Sequence, residues 1–413
     1  MNELNYVIIG NSAAAVGCVE GIRSADKTGP VTVISDEPYP TYSRPLISYL
    51  LAGQTDERRM RYRPDDFYEK NGVTPLLGKK ALKIDAEKKE VLLESGERVP
   101  YDRLLVATGS RPFVPPMEGF ETVKKKFSFM TLDDAKALEK ALTPQTRVLI
   151  VGAGLIGLKC AEGILRFVKS IEVVDLADRI LPSILDEEGS AMVREHIEAQ
   201  GVSFSLGDSV ARFDGNTAAL KSGKTVAFDV LVVAVGVRPN TQLAAEAGCR
   251  VGRGVTIDAR SATSVPDLYA AGDCCECRDI TTGTERILAI LPNAYLQGET
   301  AGVNMAGGDK TFDNAVPMNA IGFFGLHVIT AGSYDGDAWT ERTERGYKKL
   351  VTKDGFLNGF ILVGDVDRAG IYTSLIRQRT PLDTVDFELI KQKPQLMAFT
   401  TEQRAVKLGG AKL

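Results

Sequence analysis

The chain repeats one strand, glycine turn and helix plan, and this repeat limits its fold more than any other feature. The segment Tyr6–Glu20 (YVIIGNSAAAVGCVE) is an apolar run, a glycine and a row of small residues, and Arg147–Arg166 (RVLIVGAGLIGLKCAEGILR) has the same order. In both copies a second apolar run ends in acid, and a hairpin then leads into a strand that closes on glycine. Strands that alternate with helices predict parallel sheets. We therefore expect an α/β fold with two doubly wound dinucleotide-binding domains and a small C-terminal α+β domain.

The second copy has the complete G-x-G-x-x-G spacing. Its first glycine makes the tight turn, its second lets the backbone approach a pyrophosphate, and its third lets the helix pack closely on the strand. Asp175 lies 23 residues after Gly152 at the end of the next strand, where it can accept hydrogen bonds from ribose hydroxyls. Leu176, Ala177 and Asp178 follow it without an arginine, which favours NADH over NADPH. The predicted NAD(H) site comprises Gly152, Gly154, Leu155, Ile156, Gly157 and Asp175.

The first copy is incomplete, because Ser12 and Ala15 stand where the second and third glycines belong. Both residues are small, and the Ser12 hydroxyl could donate to a phosphate oxygen. Asp36 lies 26 residues after Gly10, a suitable position for a ribose contact. The local pattern leaves two interpretations open: a phosphate-binding turn, or a strand and helix that bind nothing. The candidate residues are Gly10, Ser12, Ala13, Ala14, Asp36 and Glu37.

Three distant segments add a resemblance to a known family. In chain order they are Ala107–Gly109 (ATG), Val233–Asn240 (VAVGVRPN) and Ser264–Cys274 (SVPDLYAAGDC). The same segments occur in this order in the FAD- and NAD(P)H-dependent pyridine nucleotide-disulfide oxidoreductase superfamily. The chain resembles that superfamily over nearly its whole length. The resemblance implies that the first copy binds FAD and that NADH gives a hydride to flavin N5. It also implies that the helix after the Ala-Gly-Asp segment points at the flavin. The FAD and nicotinamide contacts that it implies are Ala107, Thr108, Gly109, Gly236, Gly272 and Asp273.

One loop indicates which branch of the superfamily is similar. Residues 36–54 contain no cysteine, so a disulfide reductase with its thiols beside the flavin is disfavoured. The segment PYPTYSRPLISYLLAG resembles the rubredoxin reductase and NADH-dependent nitrite reductase flavin domains, in which Arg44 and Pro45 would lie against the flavin. No sirohaem-type region follows, so we do not expect a complete nitrite reductase.

The resemblance implies that electrons pass from the flavin to a small iron–sulfur or rubredoxin-type carrier. Two alternatives stay open. One is an NADH oxidase that reduces oxygen to hydrogen peroxide. The other is a flavin electron-transfer subunit of a larger complex, such as a carbon monoxide dehydrogenase system.

The chain departs at two positions from the family that it resembles. Many members carry lysine at about the position of Tyr49 and glutamate at the position of Lys159. We hypothesise that Lys159 supplies a positive charge near flavin N5 and so stabilises the anionic reduced flavin. The alternative is that Lys159 faces solvent or pairs with Glu162.

The repeat and the resemblance together predict three domains. Residues 1–113 and 241–317 would form a discontinuous FAD domain, 114–240 the NAD(H) domain, and 318–413 the C-terminal domain. Cys274, Cys275 and Cys277 would open the helix beside the flavin as packed thiols, since C-C-x-C is not a usual iron–sulfur spacing; a redox or metal role is the alternative. Cys18 and Cys160 are expected in the core.

Composition and net charge limit the classes of partner that the chain can bind. The 413 residues carry a net charge of −4, which gives no sign of nucleic-acid binding, and no apolar run is long enough to span a bilayer. The N-terminus enters a strand at once and leaves no room for a signal peptide, so a cytoplasmic protein is expected. An acidic carrier could dock on Lys124–Lys126, although such a triplet is usually plain solvated surface. A homodimer is one assembly that the sequence allows.

Overall fold

The computed structural model describes residues 4–407 and 409, which form two compact units. The first unit contains the described residues 4–178, 202–279 and 284–315, and the second contains 179–201, 280–283 and 316–407. Among the described residues, no helix has both the length and the apolar character needed to cross a bilayer.

The first glycine turn belongs to a five-stranded parallel sheet at the N-terminal end of the first unit. All four residues of the strand Tyr6–Ile9 are buried, because the strand lies between two neighbours and has core on both faces. In spatial order the strands are Leu268–Ala270, Arg103–Val106, Tyr6–Ile9, Val31–Ser35 and Val73–Leu77.

The second glycine turn belongs to a second five-stranded parallel sheet in the same unit. In spatial order its strands are Val202–Leu206, Ser170–Asp175, Arg147–Val151, Val230–Val233 and Lys126–Phe127. Each copy also carries a three-stranded antiparallel sheet before its last parallel strand. These are Ala81–Asp85, Glu90–Leu93 and Arg98–Pro100 in the first copy, and Val210–Asp214, Thr217–Leu220 and Thr225–Ala227 in the second. The predicted repeat is thus confirmed down to its hairpins.

The ends of the two copies pair with each other. Ser110–Pro112 and Val237–Pro239 form a two-stranded antiparallel ladder. A small sheet of Val255–Thr256, Cys275–Asp279 and Thr284–Arg286 completes the strands of this unit. Its α-helices are Ala13–Ala25, Ile47–Leu51, Phe67–Lys70, Leu132–Ala141, Leu155–Ile164, Gln242–Glu246 and Leu291–Met305.

Two of these helices pack backbone against backbone. A Cβ added at Gly17, Gly21, Gly298 or Gly302 would overlap a carbonyl oxygen of the opposite helix. Glycine at these four positions therefore allows Ala13–Ala25 and Leu291–Met305 to approach more closely than larger side chains would permit.

The second unit is built on a five-stranded antiparallel sheet. In spatial order its strands are Met318–Phe323, Leu326–Gly332, Phe356–Val363, Gly346–Lys353 and Asp337–Thr343. Its α-helices are Glu187–Glu198, Ala369–Arg377, Phe387–Gln392 and Thr401–Lys407. Phe360 and Tyr372 join the sheet to the helix Ala369–Arg377 in the core, with ring centroids 5.4 Å apart. The α/β class with a small α+β C-terminal part is confirmed.

One local prediction is wrong. Cys275–Asp279 is a β-strand, not the start of a helix, and the next helix begins only at Leu291. The strand alternates buried and more exposed residues, with Cys275, Cys277 and Asp279 on the buried side. This two-residue period is what a strand with one buried face requires.

Candidate functional site

The first glycine turn can be formed only with glycine at position 10. Gly10 has φ of +116°, and a Cβ there would overlap the carbonyl oxygen of Ala107 on the neighbouring strand. Ser12 caps the helix Ala13–Ala25 but makes no side-chain hydrogen bond to it. The helix N-terminus with its free N–H groups and an unused hydroxyl is an arrangement that suits a phosphate.

The A-T-G segment is held by the end of the other copy. The Thr108 hydroxyl donates to the carbonyl of Asn240 at 2.6 Å, and the Asn240 amide donates to the carbonyl of Thr108 at 2.9 Å. The N–H of Asn240 also donates to the carbonyl of Gly109 at 2.9 Å. Thr108 and Gly109 are therefore fixed beside the ladder that pairs Ser110–Pro112 with Val237–Pro239.

Asp273 lies beside this segment. Its Oδ2 accepts one hydrogen bond, from the Ser110 hydroxyl at 3.2 Å. Burial raises the pKa of Asp273, while the Ser110 bond and the charge of Arg44 act in the opposite direction. The N–H of Gly272, which has φ of +84°, donates to Gln297 Oε1 at 2.8 Å and so ties the turn to the helix Leu291–Met305. A partly buried carboxylate with unused lone pairs suits a ligand rich in hydroxyls.

The two carboxylates that follow the strand Val31–Ser35 lie in different surroundings. Asp36 is exposed, as a ribose contact would be, whereas Glu37 forms an ion pair with Arg44 and accepts a hydrogen bond from the Tyr42 hydroxyl at 2.6 Å. The Glu37 bond orients Arg44, which lies with Pro45 in a short 3-10 turn. Arg44 lies close enough to Asp273 for its positive charge to act on the pKa of that carboxyl.

The second glycine turn repeats the first with all its glycines present. Gly152 has φ of +117°, and a Cβ on it would overlap the carbonyl oxygen of Ala234. A Cβ on Gly157 would overlap the carbonyl oxygen of Gly152 itself, whereas Gly154 faces open space. Gly236, with φ of +116°, also faces open space. Gly154 and Gly236 therefore leave room for a ligand to approach the backbone.

Asp175 is already oriented by the turn that it follows. Its Oδ2 accepts from the N–H of Ala153 at 2.6 Å, and its Oδ1 accepts from the N–H of Ala177 at 2.8 Å. These bonds hold the carboxylate at the mouth of the turn, where it presents negative charge. Leu155 and Ile156 form the first turn of the following helix.

Lys159 lies between the two repeats. Its ammonium group is 4.3 Å from the centroid of the Tyr49 ring and forms an ion pair with Glu162. The side chains of Lys159 and Glu162 are only 11% and 14% exposed. The pairing that we weighed as an alternative is therefore present, but in a shielded place on the helix Leu155–Ile164, which contacts Ile47–Leu51.

All six cysteines are buried as free thiols, including Cys18 and Cys160 as expected. Cys274 and Cys275 have their sulfur atoms 3.6 Å apart. Within residues 4–407 and 409, no group of three or more His, Cys, Asp or Glu side chains is arranged to hold a metal ion.

Sequence reasoning missed one residue of this region. The Asn11 carboxamide accepts from the Thr41 hydroxyl at 2.6 Å and from the Tyr68 hydroxyl at 2.9 Å, and donates to the carbonyl of Tyr39 at 3.2 Å. It therefore anchors the loop before Arg44 to the first glycine turn. An asparagine within the fingerprint was the available signal.

Comparison with known proteins agrees with this geometry. The family model "Pyridine nucleotide-disulphide oxidoreductase" matches residues 4–298, and "Rubredoxin NAD+ reductase C-terminal domain" matches residues 317–380. The structure of the putidaredoxin reductase–putidaredoxin complex superposes with a TM-score of 0.86 at 23% identity, covering 94% of this chain and 96% of that one.

Three curated relatives illustrate the range of the family. NADH-dependent phenylglyoxylate dehydrogenase subunit epsilon of Aromatoleum evansii is 33% identical over 92% of this chain and 93% of its own length. The assimilatory nitrate reductase electron transfer subunit of Bacillus subtilis is 29% identical over 92% of this chain, which spans 50% of that protein. An NADH oxidase of Methanocaldococcus jannaschii is 30% identical over 75% of this chain and 71% of its own length.

The residues on the two turns fit the cofactors of that family. Glycine is required at both tight turns, the Ser12 hydroxyl has no partner in the helix, and Asp273 has acceptor capacity left. The chain belongs to the pyridine nucleotide-disulphide oxidoreductase family, whose members use FAD and NAD(P)H, and is an NAD(P)H-dependent flavin oxidoreductase.

Proposed function

We propose that this protein oxidises NADH and passes the electrons to a small rubredoxin- or ferredoxin-type carrier. The observation that carries the proposal is the match of residues 317–380 to the C-terminal domain of rubredoxin reductases, joined to a loop around Arg44 without a cysteine. A chain with no thiol in that loop cannot pass its electrons from the flavin to a disulfide there. A small one-electron carrier is an acceptor that needs no such thiol.

We assign FAD to residues 1–113 and 241–317, and NADH to 114–240. In this assignment the helix N-terminus after Gly10 faces the FAD pyrophosphate, and the Ser12 hydroxyl donates to it. Asp36 accepts from the adenosine ribose and Asp273 from the ribityl chain. Arg44, held by Glu37, provides a fixed positive charge beside Asp273. Bound FAD supplies hydride acceptance and single-electron release.

The second turn performs the matching task for NADH. Gly154 lets the pyrophosphate approach the backbone, and the carboxylate of Asp175 receives the ribose hydroxyls. The Ala153 and Ala177 N–H groups hold the Asp175 carboxylate in place, so it cannot rotate away from a bound nucleotide. The 2′-phosphate of NADPH would therefore be repelled by its negative charge. We therefore expect kcat/KM for NADH to exceed that for NADPH by at least about tenfold, equivalent to about 1.4 kcal/mol.

The test is an anaerobic titration of the yellow holoprotein with NADH, followed by oxidised rubredoxin or ferredoxin. Bleaching of the flavin band and its return on carrier addition are expected. If neither rubredoxin nor ferredoxin reoxidises the flavin faster than buffer alone, the proposed acceptor class is wrong.

Two relatives favour other acceptors, and the same preparation separates them. The M. jannaschii relative is named NADH oxidase, which favours oxygen. Hydrogen peroxide formation in air at a rate equal to carrier reduction would support that function. The A. evansii and B. subtilis relatives are named as subunits, which favours a larger complex. A stoichiometric iron–sulfur protein that co-purifies with this chain would support that function.

A further inference from the structure

An arginine without a counter-ion among the described residues lies in the second unit, outside the ranges assigned to FAD and NADH. Arg377 ends the helix Ala369–Arg377, and its Nε and Nη2 atoms are shielded from solvent without a hydrogen-bond partner in the described residues. It lines a cavity of about 420 Å³ with Met318, Ile329 and Ser374. Burying a guanidinium without an acceptor costs stability, so this charge is unbalanced in the isolated chain.

A second cation reaches the same helix face. The Lys407 ammonium donates to Ser374 Oγ and to Gln378 Oε1, each at 2.8 Å, and both acceptors are neutral. Burial lowers the pKa of Lys407. It lines a cavity of about 720 Å³ that shares Ser374 and Gln378 with the Arg377 cavity. We call the surface formed by Gly370, Ser374, Arg377, Gln378 and Lys407 the C-terminal groove.

Acidic groups do not neutralise this groove. Glu402 is the carboxylate among the residues that line the larger cavity. Within the described part of the chain, Glu402 forms no ion pair with Arg377 or Lys407. Two further cations, Arg368 and Arg404, line an adjoining cavity of about 660 Å³. The side chains that line the three cavities therefore carry a net positive charge.

Exposed apolar side chains border the cations. Leu396, Met397 and Val406 are 38%, 71% and 50% exposed. Val406 lines the cavity of about 720 Å³, Met397 lines the cavity of about 660 Å³, and Leu396 lines both. A small anion would satisfy the cations and leave this apolar surface in water. A peptide with carboxylates on one face and apolar side chains on the other would cover both.

We propose that the C-terminal groove binds an acidic amphipathic segment of a partner protein, with its carboxylates facing Arg377 and Lys407 and its apolar side chains packed on Leu396, Met397 and Val406. The positive charge of the groove favours a negatively charged segment. The exposed apolar side chains at its border favour a protein segment over a free ion. This inference concerns assembly, and it does not depend on which acceptor takes electrons from the flavin.

The test uses the full-length holoprotein and two labelled helical peptides. Both carry leucine at every third or fourth position, and the remaining positions hold mainly glutamate in one and mainly lysine in the other. Fluorescence anisotropy is expected to show binding of the glutamate peptide only. Arg377→Gln and Lys407→Gln should each weaken it about tenfold, as expected for one charge-assisted hydrogen bond. Arg345→Gln removes an exposed arginine that lines none of the three cavities and should change nothing.

Stability provides a second readout. Because two nitrogen atoms of Arg377 are shielded without a partner, Arg377→Gln should leave the thermal unfolding midpoint unchanged or raise it while it weakens peptide binding. A lower midpoint would mean that Arg377 is a structural residue, and the proposal would fall. It would also fall if both peptides bind equally, if neither binds, or if acetate at the same carboxylate concentration displaces the glutamate peptide.

Discussion

At the scale of single residues, the two turns show which fingerprint positions the backbone requires. Gly10 and Gly152 occupy the same left-handed conformation, and each lies against a carbonyl oxygen of the strand that closes its own copy. Neither position can take a side chain. The second position is different, because Ser12 has an extended backbone with φ of −127° and Gly154 has open space beside it. A serine there keeps the turn and adds a hydroxyl.

The role of that hydroxyl can be measured with Ser12→Ala. Its side chain makes no hydrogen bond to the helix that it caps, so the apoprotein should unfold at the same temperature as the wild type. Removal of a hydrogen bond to a phosphate should weaken FAD binding about tenfold, or about 1.4 kcal/mol. Ser24→Ala is the control, since that hydroxyl donates to the carbonyl of Gly21 on the same helix. An unchanged FAD dissociation constant for Ser12→Ala would assign the first turn a different phosphate donor.

At the scale of elements, the helix Ala13–Ala25 is positioned by a second helix that is distant in sequence. Glycines on both helices replace side chains at the crossing, so the two backbones touch. Gly272, at the turn beside Asp273, is hydrogen-bonded to Gln297 of the same partner helix. The helix pair therefore holds the first phosphate turn and the Asp273 turn in one rigid arrangement.

Gly298→Ala should disturb both turns together. Its Cβ would overlap the carbonyl oxygen of Ala14, and backbone on both sides leaves no flexible side chain to move. We expect a loss of about 3 kcal/mol of stability, at the upper end for overpacking, together with weaker FAD binding. Gly370→Ala is the matched control, because it lies in a helix with no atom near its added Cβ. That variant should be neutral or gain up to about 1 kcal/mol. Equal calorimetric stability of the two variants would mean that the helices separate at little cost.

At the scale of the whole molecule, the sequence predicted the features that depend on local backbone geometry. The glycine turns, the acid-ended strands and the hairpin of each copy are encoded within short segments, since each needs a particular φ or period. The bond between Thr108 and Asn240 and the contact of Gly17 with Tyr295 join residues more than 100 positions apart, and no local pattern encodes them. Cys275–Asp279 was predicted as helix from resemblance, although its alternation of buried positions was readable as a strand.

The ion pair of Lys159 and Glu162 allows a test in which two substitutions are expected to shift the flavin midpoint potential in opposite directions. We propose that its ammonium group, shielded and stacked on Tyr49, stabilises the reduced flavin and that Glu162 offsets part of that effect. Lys159→Met should then lower the flavin midpoint potential and Glu162→Gln should raise it. The expected shift in each case is about 30 mV, which for a two-electron couple corresponds to about 1.4 kcal/mol.

Spectroelectrochemical titration of the two holoprotein variants provides the measurement. Lys159→Arg should keep the wild-type potential, because it keeps the charge. Lys169→Met is the control, since Lys169 is an exposed lysine at the start of the next strand. A purely structural role of the ion pair would shift both potentials in the same direction or leave both unchanged, because either substitution breaks the same contact. Potentials that move in opposite directions require that the flavin responds to the charge itself.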